Sequence, residues 1–277
     1  MKKRIHDFRW FGLAISIATL FTGADWLQFR GAQSASLSAE TNLRVDWDVD
    51  DAAWDISLDG RSVSGPIVVQ GQVITTSSSG RANDRLHVWS VDSKTGKVQW
   101  QRKLWATGRS FCHPLSSMAA PTPASDGKRL FVLFATNDLA CLDLQGNVLW
   151  LRALGLEHPL AFDDRGLSSS PIVIGDTVVL QIECNGDAFA MGVECSTGKT
   201  RWSLPLERSI NWLSPTVLPT GGKELALIQA ADQMFIVQPK TGDVVARYET
   251  PGSAISSPVT HDGMIFMPSK GLTVLHY

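Results

Sequence analysis

The chain has 277 residues, 44% hydrophobic and 19% charged, which suits one large globular unit and excludes a disordered chain. A formal net charge of −2, with no basic tail or stripe, speaks against nucleic acid as a partner, because that binding rests on neutralising phosphates. Ten Trp against two Tyr is a skewed aromatic usage that the fold has to explain.

Residues 1–24 have the layout of an export signal. Lys2, Lys3 and Arg4 give a positive start, Trp10 to Phe21 are mostly apolar, and Thr22-Gly23-Ala24 offers small residues for cleavage. The apolar run falls short of the ~20 residues that span a bilayer, so removal is expected rather than anchoring. A periplasmic or otherwise exported location follows, with no membrane span afterwards. Residues 25–62 read as an extended lead-in. It opens with Trp26-Leu27-Gln28-Phe29-Arg30-Gly31 and carries an N-terminal strand, Arg44 to Val49, with a plugging tryptophan at Trp47.

From residue 63 onward one module recurs. Its clearest part is Asp92-Ser93-Lys94-Thr95-Gly96-Lys97-Val98-Gln99-Trp100, repeated as Glu194 to Trp202 and, one residue shorter, as Asp143 to Trp150. A fourth copy, Gln238 to Ala246, keeps the turn and loses the tryptophan. The acidic side chain can accept from backbone two or three residues on, and Gly supplies the positive φ that turns one strand back on another. Upstream of each turn lies a Pro that fits the first residue of a strand: Pro66, Pro121, Pro171, Pro215 and Pro258. Each unit therefore predicts four short strands over roughly fifty residues, and a period of that size indicates a β-propeller. Full units fall at 63–106, 119–155, 168–207 and 212–250, and a fifth from Ile255 supplies three strands, the last over Leu272 to His276. Either Arg44 to Val49 completes the fifth blade and closes the ring, or the blades belong to a longer propeller and the last one is left open.

Four cysteines, Cys112, Cys141, Cys184 and Cys195, lack the C-x-x-C spacing of a zinc site. Cys141 and Cys195 read as small apolar residues, and a Cys184–Cys195 hairpin link is conceivable. Glu183 and Asn185, beside Gly186, read as turn residues rather than metal ligands. The least repetitive stretches are the loop of Arg109, Cys112 and His113 and the loop of His158, Asp163, Asp164 and Arg165. Long loops on rigid scaffolds often carry function, so Arg109, His113, His158 and Asp163 are the first candidates for a binding face. Loop tryptophans, Trp54, Trp105 and Trp212, are candidates for binding a sugar or polysaccharide.

Taken as a set, the Asp-x-x-Thr-Gly-Lys turns, the Ser-Pro strand starts and the Trp26-x-Gln28-Phe29-Arg30-Gly31 lead-in resemble the pyrroloquinoline-quinone-like (PQQ-like) β-propeller repeat proteins. They are most similar to the exported BamB-like propellers of planctomycete-type bacteria. The resemblance implies that Trp47, Trp100, Trp150 and Trp202 dock one blade onto the next, with Ala246 departing from the pattern. It further implies a ring of seven or eight blades, of which these would be an incomplete set, and a non-catalytic binding or assembly scaffold with partners among proteins of the cell envelope. The alternative within the resemblance is a quinone-dependent dehydrogenase, whose adjacent Cys pair this sequence lacks. No catalytic residue, cofactor or metal is expected.

Overall fold

The computed structural model describes residues 25–249 and 255–277, apart from Ala39 and Asn42. The expected signal over 1–24 lies outside the described residues. The rest folds into five antiparallel sheets, each built from strands paired in chain order. The first comprises β1 (Ile67–Val69), β2 (Gln72–Ser79), β3 (Arg85–Asp92) and β4 (Val98–Trp105). The second comprises β5 (Ala124–Ser125), β6 (Arg129–Leu133), β7 (Asp138–Asp143) and β8 (Val148–Ala153), followed by a helical turn α1 (Leu154–Glu157). The third holds β9 (Ile172–Ile174), β10 (Thr177–Ile182), β11 (Phe189–Glu194) and β12 (Thr200–Pro205). The fourth holds β13 (Thr216–Thr220), β14 (Lys223–Gln229), β15 (Gln233–Val237) and β16 (Val244–Glu249). The fifth has three strands, β17 (Val259–His261), β18 (Met264–Pro268) and β19 (Leu272–His276). Successive innermost strands meet, β5 against β9, β9 against β13 and β13 against β17, so the sheets stand as blades of a β-propeller.

The turn chemistry is visible in the first blade. Asp92 Oδ1 accepts from the Lys94 and Thr95 amides and from the Thr95 hydroxyl, and Gly96 sits at φ +70°. The last two strands then slip register by one residue, between Ser90 and Val91. The same slip recurs between Cys141 and Leu142, Gly192 and Val193, and Ile236 and Val237. Each β-bulge comes immediately before Trp100, Trp150, Trp202 or Ala246, so one extra residue re-aims that side chain.

Those indoles meet the following blade. Trp100 Nε1 donates to the Leu144 carbonyl at 2.9 Å, Trp150 to Cys195 at 3.0 Å and Trp202 to Pro239 at 2.7 Å. Each acceptor is the residue just after the first residue of the next turn. Each ring also covers that turn's glycine: a Cβ on Gly146, Gly198 or Gly242 would fall 2.5–2.8 Å from the indole. Trp54 makes the same pair of contacts with the first blade, donating to Ser93 at 3.1 Å and covering Gly96.

Trp47 corrects the sequence reading. It is 71% exposed, and its Nε1 turns back to the Arg44 carbonyl. Arg44 to Val49 forms no strand and does not join the fifth sheet. The cause is local: Asp48 and Asp51 form a capping box around a single turn at Val49–Asp51, and Arg44 reaches Asp46 and Asp51. Short acidic side chains bonding nearby backbone compete with an extended ladder. The conceivable Cys184–Cys195 link is absent as well, since all four cysteines are free and the Cys184 thiol donates to the Leu160 and Asp187 carbonyls.

The lead-in is more than a connector. Trp26 exchanges both backbone hydrogen bonds with Val68 of β1, and the Leu27 carbonyl accepts from Ser125 of β5. Gln28 Oε1 accepts from Val173 of β9 at 2.8 Å, and the Ser34 hydroxyl accepts from Val217 of β13 at 3.3 Å. Arg30 Nη1 donates to the Ser257 and Pro258 carbonyls at 3.0 and 3.2 Å, where the chain enters β17. The stretch from Trp26 to Ser34 therefore touches the inner edge of every blade.

Candidate functional site

At the inner end of each blade a residue precedes the strand-starting proline: Gly65, Thr122, Ser170, Ser214 and Ser257. The relevant proline of the second blade is Pro123, two residues later than the Pro121 that the sequence pattern picked out, because β5 begins at Ala124. These residues are joined in a relay. Gly65 N–H donates to the Thr122 hydroxyl at 3.0 Å, and Thr122, Ser170 and Ser214 N–H each donate to the hydroxyl of the next at 2.9 Å. A small hydroxyl residue is needed at each of the four accepting places, short enough to fit and able to accept an amide proton.

This relay lines the wall of a pocket of about 510 Å³ on the propeller axis. Around it stand Phe29 and Arg30 from the lead-in, His113 and Ser116 from one irregular loop, Arg165 from the other, and Trp212 from the link before β13. Arg30 is half-buried, and burial pulls its pKa below the usual arginine value, although a guanidinium stays charged. Arg165 lies over the Trp212 ring, 5.8 Å from its centre, and its Nε meets Asp163 Oδ1 at 3.2 Å. Trp212 Nε1 donates to the Gly166 carbonyl at 2.8 Å. His113 Nδ1 accepts from the Leu115 amide at 3.1 Å, which leaves Nε2 of the neutral ring as the protonated, donating nitrogen. His113 N–H donates to the Arg165 carbonyl at 3.1 Å and so ties the two loops together.

Of the four loop residues singled out in sequence, the structure brings His113 to the pocket and places Asp163 behind it, orienting Arg165. Arg109 packs 3.7 Å above the Phe162 ring, and His158 lies 4.3 Å from the Phe189 ring, both away from the pocket lining. Burial pushes the Cys112 thiol up, away from a reactive thiolate. Among the tryptophans considered for sugars, Trp212 lines the pocket, Trp105 is 66% exposed beneath Arg85, and Trp54 is committed to the Gly96 turn. Sequence reasoning missed Arg30, Arg165 and the hydroxyl relay as site residues. The Ser-Pro pattern was a signal for the relay, although it reads first as a strand start.

The family model described as outer membrane protein assembly factor BamB matches residues 36–194, more than half of the chain. The chain belongs to the BamB family. No curated protein matches the sequence. Among solved structures, the chain is similar to a europium-containing methanol dehydrogenase (TM-score 0.62, 12% identity, 91% of this chain and 58% of that one). It is similar also to the quinohemoprotein alcohol dehydrogenase from Comamonas testosteroni (TM-score 0.59, 14% identity, 91% and 47%). BamB from Moraxella catarrhalis aligns with a TM-score of 0.43 at 16% identity, over 80% of this chain and 74% of that one. The chain thus spans roughly half the length of the two dehydrogenases, and at these identities the likeness is one of fold.

Proposed function

We propose that this propeller is a protein-binding scaffold of the cell envelope, exported and non-catalytic, and that its axial pocket receives an acidic segment of a partner protein. The observation that carries this reading is the pocket's lining. Arg30, Arg165 and His113 face it among hydroxyls and backbone, and no carboxylate stands among its described lining residues. A guanidinium beside hydroxyl and imidazole donors suits a carboxylate, held by charge-assisted hydrogen bonds. Membership of the BamB family supports a binding role over a catalytic one. No helix of the described residues is long and apolar enough to cross a membrane.

The test is capture of envelope proteins on the immobilised chain, comparing wild type with Arg165→Glu. Loss of a retained partner in the variant, at unchanged thermal stability, is the expected outcome. Identical retention by both removes the pocket from the reading. Titration with a pyrroloquinoline quinone and Ca²⁺ addresses the dehydrogenase alternative: binding with dye-linked alcohol oxidation would replace the scaffold by an enzyme.

A further inference from the structure

Glu183 follows β10 and is 2% exposed, not a solvated turn residue as its neighbours in sequence suggested. It sits in a polar cluster shared by the third and fourth blades. Gln181 Nε2 donates to Glu183 Oε1 and, at 2.7 Å, to the Gln229 carbonyl at the end of β14. Gln229 Nε2 continues to the Pro268 carbonyl at 3.1 Å, and Asn211 Oδ1 accepts from the Leu213 amide at 3.2 Å. Among the described residues four buried atoms of this cluster lack a well-formed hydrogen bond: Glu183 Oε2, Gln181 Oε1, Gln229 Oε1 and Asn211 Nδ2, although Asn211 and the Ala231 amide lie near enough to pull on the Glu183 carboxyl. Three are acceptors and one is a donor. A carboxylate adds only acceptors to that imbalance, whereas a carboxylic acid brings the missing O–H.

The surrounding charges point the same way. Asp232, across the β14–β15 turn, is the formal charge that acts on Glu183, and it has the same sign. The adjacent Cys184 thiol is pushed up by burial, with Asp187 beside it. Asn211 immediately precedes Trp212, which forms part of the axial pocket.

We propose that Glu183 is a carboxylic acid in the folded protein, donating its proton within this cluster, and that losing the proton loosens the link carrying Trp212 and so the pocket wall. Burial raises the Glu183 pKa from 4.5 to about 7, against a smaller opposing pull from Gln181, Asn211 and the Ala231 amide. A group whose folded pKa lies above its unfolded value contributes stability in full below about pH 4.5, and that contribution is lost as pH rises through about 7. The ionised form is a buried charge with no cation beside it among the described residues, and it is relieved when the neighbouring link that carries Asn211 and Trp212 lets water reach it. The consequence for binding rests on the pocket being the site, and the protonation does not.

Two measurements on the full chain test this without any ligand. The carboxyl ¹³C signal of Glu183 is expected to titrate with a midpoint near 7, and a midpoint in the ordinary glutamate range overturns the proposal. Hydrogen exchange of residues 206–214, corrected for intrinsic rates, is expected to lose protection by up to about tenfold per pH unit between about pH 4.5 and 7 and to level off above the midpoint. Glu183→Gln, a permanently neutral mimic, is expected to hold its protection at both pH 6 and pH 8.5. Equal protection of the wild type at both values, or a surviving pH step in the variant, overturns the coupling. Should Glu183→Gln not fold, the wild-type titration and exchange profile decide.

Discussion

Ser170 shows how much rests on one small side chain. Its hydroxyl accepts the buried Thr122 amide, while its own amide donates to Ser214. Ser170→Ala leaves the Thr122 N–H without an acceptor, and we expect a loss of about 1–3 kcal/mol in urea unfolding. Ser170→Thr, which keeps the acceptor, should recover part of it. The hydroxyl was in plain view in the sequence, yet Ser before Pro marks a strand start equally well whether or not another blade needs it. Glu183 was hidden for a related reason: a Glu beside Cys, Asn and Gly has the composition of a turn, and only the packing of Asn211, Gln229 and Ala231 around it reveals its burial.

Among the elements, the strand–turn–strand module was legible because everything that forms it is local. Asp92, Thr95 and Gly96 lie within five residues, and the bulge before Trp100 follows from the same turn. The lead-in was not legible, because its partners lie 42 to 228 residues away. Trp54 escaped for want of a preceding glycine turn, and Trp47 was preferred because Arg44 to Val49 alternates in pattern. There the capping of Asp48 and Asp51 outweighed the alternation. The lead-in's role gives a direct prediction. Gln28→Ala removes a buried side chain that accepts from the Val173 amide and donates to the Ala32 carbonyl, both bonds part-buried. It should cost about 1–3 kcal/mol. The loss should appear in the single main unfolding transition, because the segment joins all five blades; a separate early transition with the main one unmoved would show the lead-in to be a passenger.

On the scale of the whole molecule, the fold class could be read from period alone, since a unit of roughly fifty residues with four strands has few other solutions. What the period could not supply was the inside of the ring. The hydroxyl relay, Arg30 and Arg165 become one pocket only when blades stand side by side. That assembly depends on the seams, and the three seams from the first blade to the fourth are closed the same way, by an indole lying on the next blade's turn glycine and donating to its carbonyl. Trp202, 8% exposed over Gly242, is the most buried of them. The deciding measurement is a double-mutant cycle on Trp202→Ala and Gly242→Ala. The strain of a Cβ at φ +80° is common to both backgrounds and cancels, while its clash with the indole, built at 2.5 Å, exists only when Trp202 is present. The account predicts that Trp202→Ala alone costs about 3–5 kcal/mol. It also predicts that the two substitutions couple by about 1–3 kcal/mol, Gly242→Ala being markedly milder once the ring is gone. Strictly additive effects would mean that the indole does not rest on that turn, and would contradict the seam on which the propeller is built.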